Sequence, residues 1–295
     1  MADELLYYIP AGQYGKEGVL SLLAQHPEIK FVSVVGIDLA GNDTDEKIPI
    51  RIFKENYDDF FAGRAVQTDG SSVVLMNIAT LNDARVDMVT DSSVNWYIDY
   101  NYENLDEETG LPTGTLRIPA FLLHNDRFVD SRTILKKSCD YVAAELKKLL
   151  TTHPVKGMEN VPFHEIQDIM FTTGTELEFW VKTPSEKHSV PNLSISQKLQ
   201  EQYWQRMRGN VRTAMEQTVD ALEKRGMLVE MGHKEVGGIK PHVDDNGHIV
   251  DVAEQLELDW RFSDNPLQAG DNELGSPHCG FREISVRMVL MFLPR

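Results

Sequence analysis

The sequence predicts an α+β fold, because strand-like and helix-like patterns occupy successive regions of the chain. Short alternating apolar runs separated by turn residues fill the chain up to about Pro119. From Asp130 onward, apolar residues recur at intervals of three and four positions, which is typical of helices. With 295 residues, 41% of them hydrophobic, the chain is long enough for two domains. We place these domains at 1–119 and 120–295.

Strands dominate the prediction for the first region. Lys30–Leu39 and Lys47–Phe53 both carry apolar residues at strand spacing, and a Gly-Asn-Asp turn lies between them, so they predict a hairpin. Further strands are predicted at Val73–Ile78, Val86–Val89, Trp96–Asp99 and Thr115–Phe121, with an acidic loop at Asn101–Gly114.

Two helices and an intervening strand are the main elements predicted for the second region. The first helix follows a cap candidate at Asp130, and its apolar stripe should lie against a core. A second helix, from about Ser196 to Arg225, has a Met-containing stripe that we interpret as core filling, and Gly226 ends it. The strand is predicted at Phe171–Val181. The stripe of the first helix consists of Leu135, Cys139, Val142, Leu146 and Leu149.

Two acidic residues of the predicted strand share one of its faces. Glu176 and Glu178 lie two positions apart, and alternate side chains of a strand point the same way. Their apolar neighbours, such as Leu177 and Phe179, point to the other face and can pack on a core. Two adjacent carboxylates repel each other unless a divalent cation or a shared proton compensates. The alternative is an exposed strand face with two solvated acids.

Composition argues against several classes of partner. The formal charge is −17, which disfavours nucleic acid or an anionic membrane surface. No apolar run approaches the length of a membrane span, and the start of the chain lacks a signal-like pattern, so we expect a cytoplasmic protein. Cys139 and Cys279 form neither a disulfide framework nor a zinc ligand set, and a structural thiol is the expected role of Cys139.

Familiar nucleotide-binding and hydrolase motifs do not occur in the sequence. It contains no P-loop, no G-x-G-x-x-G, no H-E-x-x-H and no G-x-S-x-G. Three histidines, His233, His242 and His248, fall in a polar segment at irregular spacing, which predicts exposed side chains rather than a zinc site.

Several short motifs share their order with one known family. The motifs are the first hairpin with Gly36–Asn42, the Asp-Gly-Ser-Ser loop at Asp69–Ser72 and its following strand at Asp87–Asp91, Gly-x-Glu-x-Glu-Phe at Gly174–Phe179, His-x-Glu-Val at His233–Val236, and Gln-x-Glu at Gln255–Glu257. In that order, over roughly residues 28–274, they resemble the N-terminal half of glutamine synthetase, in particular its longer bacterial forms.

The resemblance implies a fold and an activity. The fold would be a β-grasp domain followed by part of a catalytic domain, which has a curved, mainly antiparallel sheet flanked by helices. The activity would be ATP-dependent ligation of ammonia to glutamate through γ-glutamyl phosphate, with two magnesium or manganese ions.

Residue roles follow from the same resemblance. Glu178, Glu235 and Glu257 would bind one metal ion, and Glu176 would be a ligand of the second. Asp69 would bind ammonium and act as its base, donated across a subunit interface in a homo-oligomeric ring. The alternative for Asp69 is an ordinary Asp-Gly turn capped by the two following serines.

The sequence also departs from the family pattern. An insert at Gly237–Val252 predicts a longer hairpin between two of the expected ligands. The segment 275–295 is atypical, and the family's later ligands are not found after Leu274, so we expect a truncated chain with little activity by itself. Two alternatives stay open: a γ-glutamyl ligase for another amine such as a polyamine, which Asp69 disfavours, and a non-catalytic family member that binds full-length subunits.

Overall fold

The architecture is α+β, with helices packed on sheets. The computed structural model describes residues 5–75, 85–153, 155–184, 204, 206–207 and 209–268, together with the backbone of 284–293. Within this part of the chain, residues up to 171 and 264–268 form one compact unit, and residues 172–263 form another. The domain boundary placed after residue 119 stays a prediction.

Eight strands of the described residues form the sheet of the first unit. The main path is β1-β6-β7-β2-β3, with β4 paired to β5 and both β5 and β8 paired to β7. Strands β2 and β7 run parallel, whereas the other pairs are antiparallel. The strands are β1 (Tyr8–Ile9), β2 (Ile29–Gly36), β3 (Ile48–Pro49), β4 (Gln67–Asp69), β5 (Arg85–Thr90), β6 (Trp96–Leu105), β7 (Pro112–His124) and β8 (Arg127–Phe128).

Three short helices close the core of this unit. They are α1 (Lys16–Gln25), α2 (Ile50–Glu55) and α3 (Tyr57–Phe61). Leu23 of α1 and Phe53 of α2 are almost fully buried in one cluster with sheet residues. Each such side chain stabilises the fold by about 1.5–3 kcal/mol.

The predicted first hairpin forms, but its second strand is much shorter than predicted. Only Ile48 and Pro49 pair with β2, and α2 begins at Ile50. Proline has no amide hydrogen with which to extend a sheet ladder, and its backbone angles suit the position before a helix. Helical spacing then carries Phe53 into the core.

One further prediction for this unit was wrong, and another is only partly covered by the described residues. The acidic segment Asn101–Gly114 is mostly strand, since β6 continues to Leu105 and β7 begins at Pro112. The turn between them is closed by Asp106, whose carboxylate accepts hydrogen bonds from the amide and hydroxyl of Thr109 at 3.0 and 2.9 Å. The strand predicted at Val73–Ile78 is not formed by residues 73–75, and the remainder lies outside the described residues.

Helix α4 (Ser131–Thr152) begins where the sequence predicts. Its cap is Asp130, whose side chain accepts a hydrogen bond from the Thr133 amide at 2.8 Å. The expectation that its apolar stripe lies against a core was wrong, because Leu135, Val142 and Leu149 are 41–53% exposed. Periodicity predicts which side of a helix is apolar, but it does not supply the surface that would cover that side.

The second unit is built on a sheet of order β10-β11-β9-β12, in which β10 and β11, and β11 and β9, pair in antiparallel fashion. Its strands are β9 (Asp168–Pro184), β10 (Val229–Val243), β11 (Ile249–Trp260) and β12 (Ile284–Leu293). Leu177 and Phe179 are buried, as the alternation predicts.

Helix α5 (Gly209–Glu223) belongs to the second unit and corresponds to the second predicted helix. Met215 and Leu222 of its stripe are buried, so their predicted role as core residues is confirmed. Gly226 follows the helix with a φ of 71°, a conformation that glycine adopts without strain. The helix begins later than predicted, because residues 204, 206 and 207 are not helical, and 196–203 lies outside the described residues. None of the helices in the described part of the chain has the length and apolarity needed to cross a membrane.

Candidate metal centre

Strand register brings acidic side chains of the second unit onto one sheet face. Glu257 in β11 lies opposite Glu178 in β9 and opposite His233 in β10. In the next row, Asp259 of β11 lies opposite Glu176 of β9. Directly opposed residues of antiparallel strands point to the same face, about 4.5–5.5 Å apart. The three strands therefore place these five side chains on one surface.

A large bulge in β10 adds Glu235 to this surface. Pairing with β11 is regular from Met231 to Lys234 and resumes at Ile239, so residues 235–238 face the single residue Gln255. Bulges redirect side chains that would otherwise follow the strand alternation. Beyond the bulge the strands continue to Val243 and Ile249, which confirms the longer hairpin expected from the insert.

Two overlapping groups of ligand-type atoms result. His233, Glu235 and Glu257 form one group, and Glu176, Glu257 and Asp259 form the other; within each group the atoms lie within 4.8 Å of one another. Glu257 belongs to both groups. The Nε2 atom of His233 lies 3.4 Å from Glu257 Oε2 and 3.3 Å from Asp259 Oδ2.

The carboxylates of Glu235 and Glu257 share a buried environment, with only 8% and 6% of these residues exposed. Burial, the hydrogen bond with Glu235 and the charges of Asp259, Glu235 and Glu176 raise the pKa of Glu257 to about 8. Burial acts on Glu235 too, but hydrogen bonds from Glu257 and the Val236 amide, together with His233, lower its pKa. At neutral pH the pair therefore holds one proton, which Glu257 donates to Glu235.

This donor set fits a hard divalent cation. Carboxylate oxygens are the ligands that Mg²⁺ and Mn²⁺ prefer, and an imidazole nitrogen is compatible with Mn²⁺. A cation would relieve the repulsion that the shared proton now relieves. Of the predicted ligands, Glu176, Glu235 and Glu257 belong to the two groups. Glu178 belongs to neither: it lies in the row of Glu257, and its Oε2 accepts a hydrogen bond from Gln255 Nε2 at 2.6 Å.

Asp69, the predicted ammonium ligand, belongs to the first unit and ends β4. Its Oδ1 accepts a hydrogen bond from the Ser71 amide at 2.7 Å, and the hydrogen bonds with Ser71 lower its pKa. Its carbonyl oxygen also accepts a hydrogen bond from the Ser72 amide at 2.9 Å. These are the bonds of a capped Asp-Gly turn, and a catalytic role for Asp69 stays a prediction.

Two residues of the candidate site, His233 and Asp259, were not predicted from the sequence. His233 was expected to be exposed, but its side chain is only 11% exposed. The reason is that His233 belongs to β10 and lies opposite Glu257 of β11. The side chains of His242 and His248 are 66% and 59% exposed, as expected. The signal for Asp259 was present, since it continues the same-face alternation of Gln255 and Glu257 along β11.

A cavity of about 260 Å³ opens beside the acids. The indole ring of Trp204 lies 5.4 Å from the His233 ring, and the Trp204 amide donates a hydrogen bond to the Lys234 carbonyl at 3.1 Å. Acidic and apolar groups therefore meet in one cavity. It is lined by Gly174, Thr175, Glu176, Trp204, Glu230, Met231, His233, Glu257, Asp259, Trp260 and Phe262.

Comparison with known proteins gives a likeness at the level of structure. No model of a protein family matches the sequence, and no curated protein matches it. GmaS in complex with ADP is similar with a TM-score of 0.48 and 14% identity over 90% of this chain. GmaS without ligand is similar with a TM-score of 0.49 and 14% identity, also over 90% of this chain. The chain spans about half the length of these proteins, covering 50% and 52% of them.

Proposed function

We propose that this chain carries the metal-binding part of a ligase site that joins ammonia to glutamate at the expense of ATP. One observation carries the proposal. Acidic residues from motifs that are far apart in the sequence, Glu176, Glu235 and Glu257, converge on one sheet face with their ligand atoms in two overlapping groups. Their order along the chain is the order in which the glutamine synthetase pattern places its metal ligands.

The chain's own residues would have distinct tasks. Glu235 and Glu257, with Glu178 opposite, would hold the cation nearer to glutamate and ammonium, and His233 would complete its surroundings. Glu176, joined by Asp259, would hold the cation on the nucleotide phosphates. Bound metal ions supply charge neutralisation for phosphoryl transfer and orient the reacting oxygens.

The reaction that such a site serves balances in two steps. A γ-carboxylate oxygen of glutamate attacks the γ-phosphorus of ATP, the bond to ADP breaks, and γ-glutamyl phosphate forms. The nitrogen of ammonia then attacks the γ-carbon, phosphate leaves, and the nitrogen gives up a proton to a carboxylate. We assign that base to Asp69 of a neighbouring copy in a homo-oligomeric ring.

Manganese binding tests the proposal directly. Glu257 belongs to both groups, so Glu257→Gln should weaken Mn²⁺ binding by more than the roughly 10–100-fold typical of changes outside the ligand shell. Isothermal titration calorimetry on the metal-free chain gives the affinity. Glu216→Gln, at an exposed position on α5, is the matched control and should bind as the wild type does. The proposal fails if the wild type binds no Mn²⁺ or if the two variants are indistinguishable.

The walls of the cavity favour a second candidate, a γ-glutamyl ligase for another amine. Met231, Trp204 and Phe262 line the cavity beside the carboxylates, and aromatic faces attract organic ammonium groups. Calorimetric titration of the Mn²⁺-loaded chain with ammonium, methylammonium or putrescine separates the candidates without requiring turnover. Tighter binding of ammonium supports the first candidate, whereas tighter binding of an alkylamine supports the second.

A further inference from the structure

We infer that Gln255 is a positioning residue for Glu178, and that Gly237 lacks a side chain because the Gln255 amide fills that space. This inference deepens the proposed function, on which it rests, because Glu178 is one of the proposed metal ligands. Neither Gln255 nor Gly237 can contribute a carboxylate or imidazole, so their role would be to fix where the carboxylate of Glu178 lies.

The contact between Gln255 and Glu178 is direct. Gln255 lies opposite Trp180 and Glu257 lies opposite Glu178, so all four side chains share the acidic face. The Nε2 atom of Gln255 donates a hydrogen bond to Glu178 Oε2 at 2.6 Å. A donor on one carboxylate oxygen restricts rotation of the group. Hydrogen bonds of this kind orient metal ligands in many proteins.

The bulge in β10 provides the space for this amide. A Cβ atom on Gly237 would lie 1.5 Å from Gln255 Oε1 and 2.6 Å from its Cδ. These distances are far inside van der Waals contact, so any side chain at position 237 displaces the amide. The ring of Trp180 is a second neighbour of this space, since its Cζ2 would lie 3.0 Å from the same Cβ, and Lys240 Nζ lies 4.0 Å from the centre of a Trp180 ring. A side chain at position 237 would therefore meet both the Gln255 amide and the indole.

Because Gly237 would act only through Gln255, the two positions should behave as one unit. Gly237→Ala and Gln255→Leu should each weaken Mn²⁺ binding by about 10–100-fold, the range found when the partner of a metal ligand is removed. The double variant should bind Mn²⁺ with the same affinity as whichever single variant binds it less tightly. Calorimetric titration of the wild type, both single variants and the double variant completes this double-mutant cycle. Additive losses would show that Gly237 acts in another way and would overturn the inference.

Matched controls exclude a general effect of the substitutions. A Cβ on Gly18 of α1 would meet nothing within 4 Å, and Gln217 is exposed on α5. Gly18→Ala and Gln217→Leu should leave Mn²⁺ affinity unchanged. The thermal unfolding midpoint of each metal-free variant identifies any protein that has failed to fold. A folded Gln255→Leu variant with wild-type affinity would also overturn the inference.

A measurement without metal separates this inference from the proposed function. The side-chain amide resonances of Gln255, observed in a ¹⁵N-glutamine-labelled metal-free chain, should shift on Glu178→Ala and on Gly237→Ala but not on Gly18→Ala. If these shifts occur and the wild type binds no Mn²⁺, the proposed function fails while the contact stands. If neither substitution moves the resonances, Gln255 does not hold Glu178 and the inference fails whatever the metal result.

Discussion

The pKa of the Glu257 carboxyl group is raised to about 8 in the metal-free folded protein, whereas the pKa of a glutamate in an unfolded chain is about 4.3. The folded pKa is raised, so folding becomes less favourable as pH rises between these two values. Glu257→Gln removes this penalty and can still donate a hydrogen bond to Glu235. The stability of the variant relative to wild type should therefore increase with pH, by at most about 1.4 kcal/mol per unit, and level off above about pH 8.

Urea unfolding in the presence of a chelator, at several pH values between about 5 and 9, measures this difference. Gln217→Leu, an exposed change on α5 that removes no ionisable group, serves as the control, and its difference from wild type should not change with pH. A Glu257→Gln difference that is also independent of pH would contradict the raised pKa. Added Mn²⁺ should remove the penalty in the wild type, because the cation replaces the proton.

The positions of single site residues could be predicted where they depend only on neighbouring residues in the sequence. Glu176 and Glu178 share a face because of strand alternation alone, which the sequence shows directly. Placing Glu235 beside Glu257 depends on a four-residue bulge, and no local pattern predicts its register. His233 was misread for the same reason, since its burial depends on the neighbouring strand rather than on its polar sequence neighbours.

At the scale of elements, α4 depends on its first residue. Asp130 is fully buried, and its Oδ2 accepts hydrogen bonds from the Leu122 amide and the Thr133 hydroxyl, both at 2.9 Å. Asp130→Ala removes the cap and leaves the Leu122 amide of β7 unsatisfied, so it should cost about 2–4 kcal/mol of unfolding free energy. Chemical denaturation measures this loss. Asp140→Ala, an exposed change on the same helix, should cost less than about 0.5 kcal/mol, and equal costs would contradict the capping argument.

The elements predicted best were those whose pattern and environment agree. Strand β9 and the start of α4 follow from alternation and from a capping residue, and both depend on contacts near in sequence. The segment Ile48–Phe53 was misread because Ile48, Ile50 and Ile52 alternate as in a strand. Pro49 breaks the sheet ladder there, and burial of Phe53 outweighs the alternation. The stripe of α4 was misread for a different reason. Its apolar residues recur at helical spacing, but no surface of the described residues covers them.

At the scale of the whole molecule, the core of the first unit is complete well before β9 begins. In the part of the chain that the structure describes, every residue of its main apolar cluster lies between Leu5 and Val129. A fragment comprising residues 1–153 therefore keeps the whole cluster, together with α4. It loses hydrogen bonds that join Asn265 and Gln268 to Ser93, Asn95 and Tyr97, and the bond from Lys147 Nζ to the Gln167 carbonyl, each contributing about 0.5–1.5 kcal/mol. We expect this fragment to fold cooperatively. Its unfolding free energy should be lower than that of the same unit in the full chain, where those bonds are present.

Trp96 makes this expectation measurable, since it is the one tryptophan in residues 1–153 of the sequence. Its ring is buried and stacked on Tyr14 at 3.9 Å. Folded fragment should show blue-shifted Trp96 fluorescence that is lost in a single urea transition coincident with the circular dichroism signal. Phe53→Ala in the same fragment should lower its unfolding free energy by about 3–5 kcal/mol, because Phe53 is fully buried in the cluster. Solvent-exposed emission without a cooperative transition would mean that this cluster cannot sustain the fold without the rest of the chain.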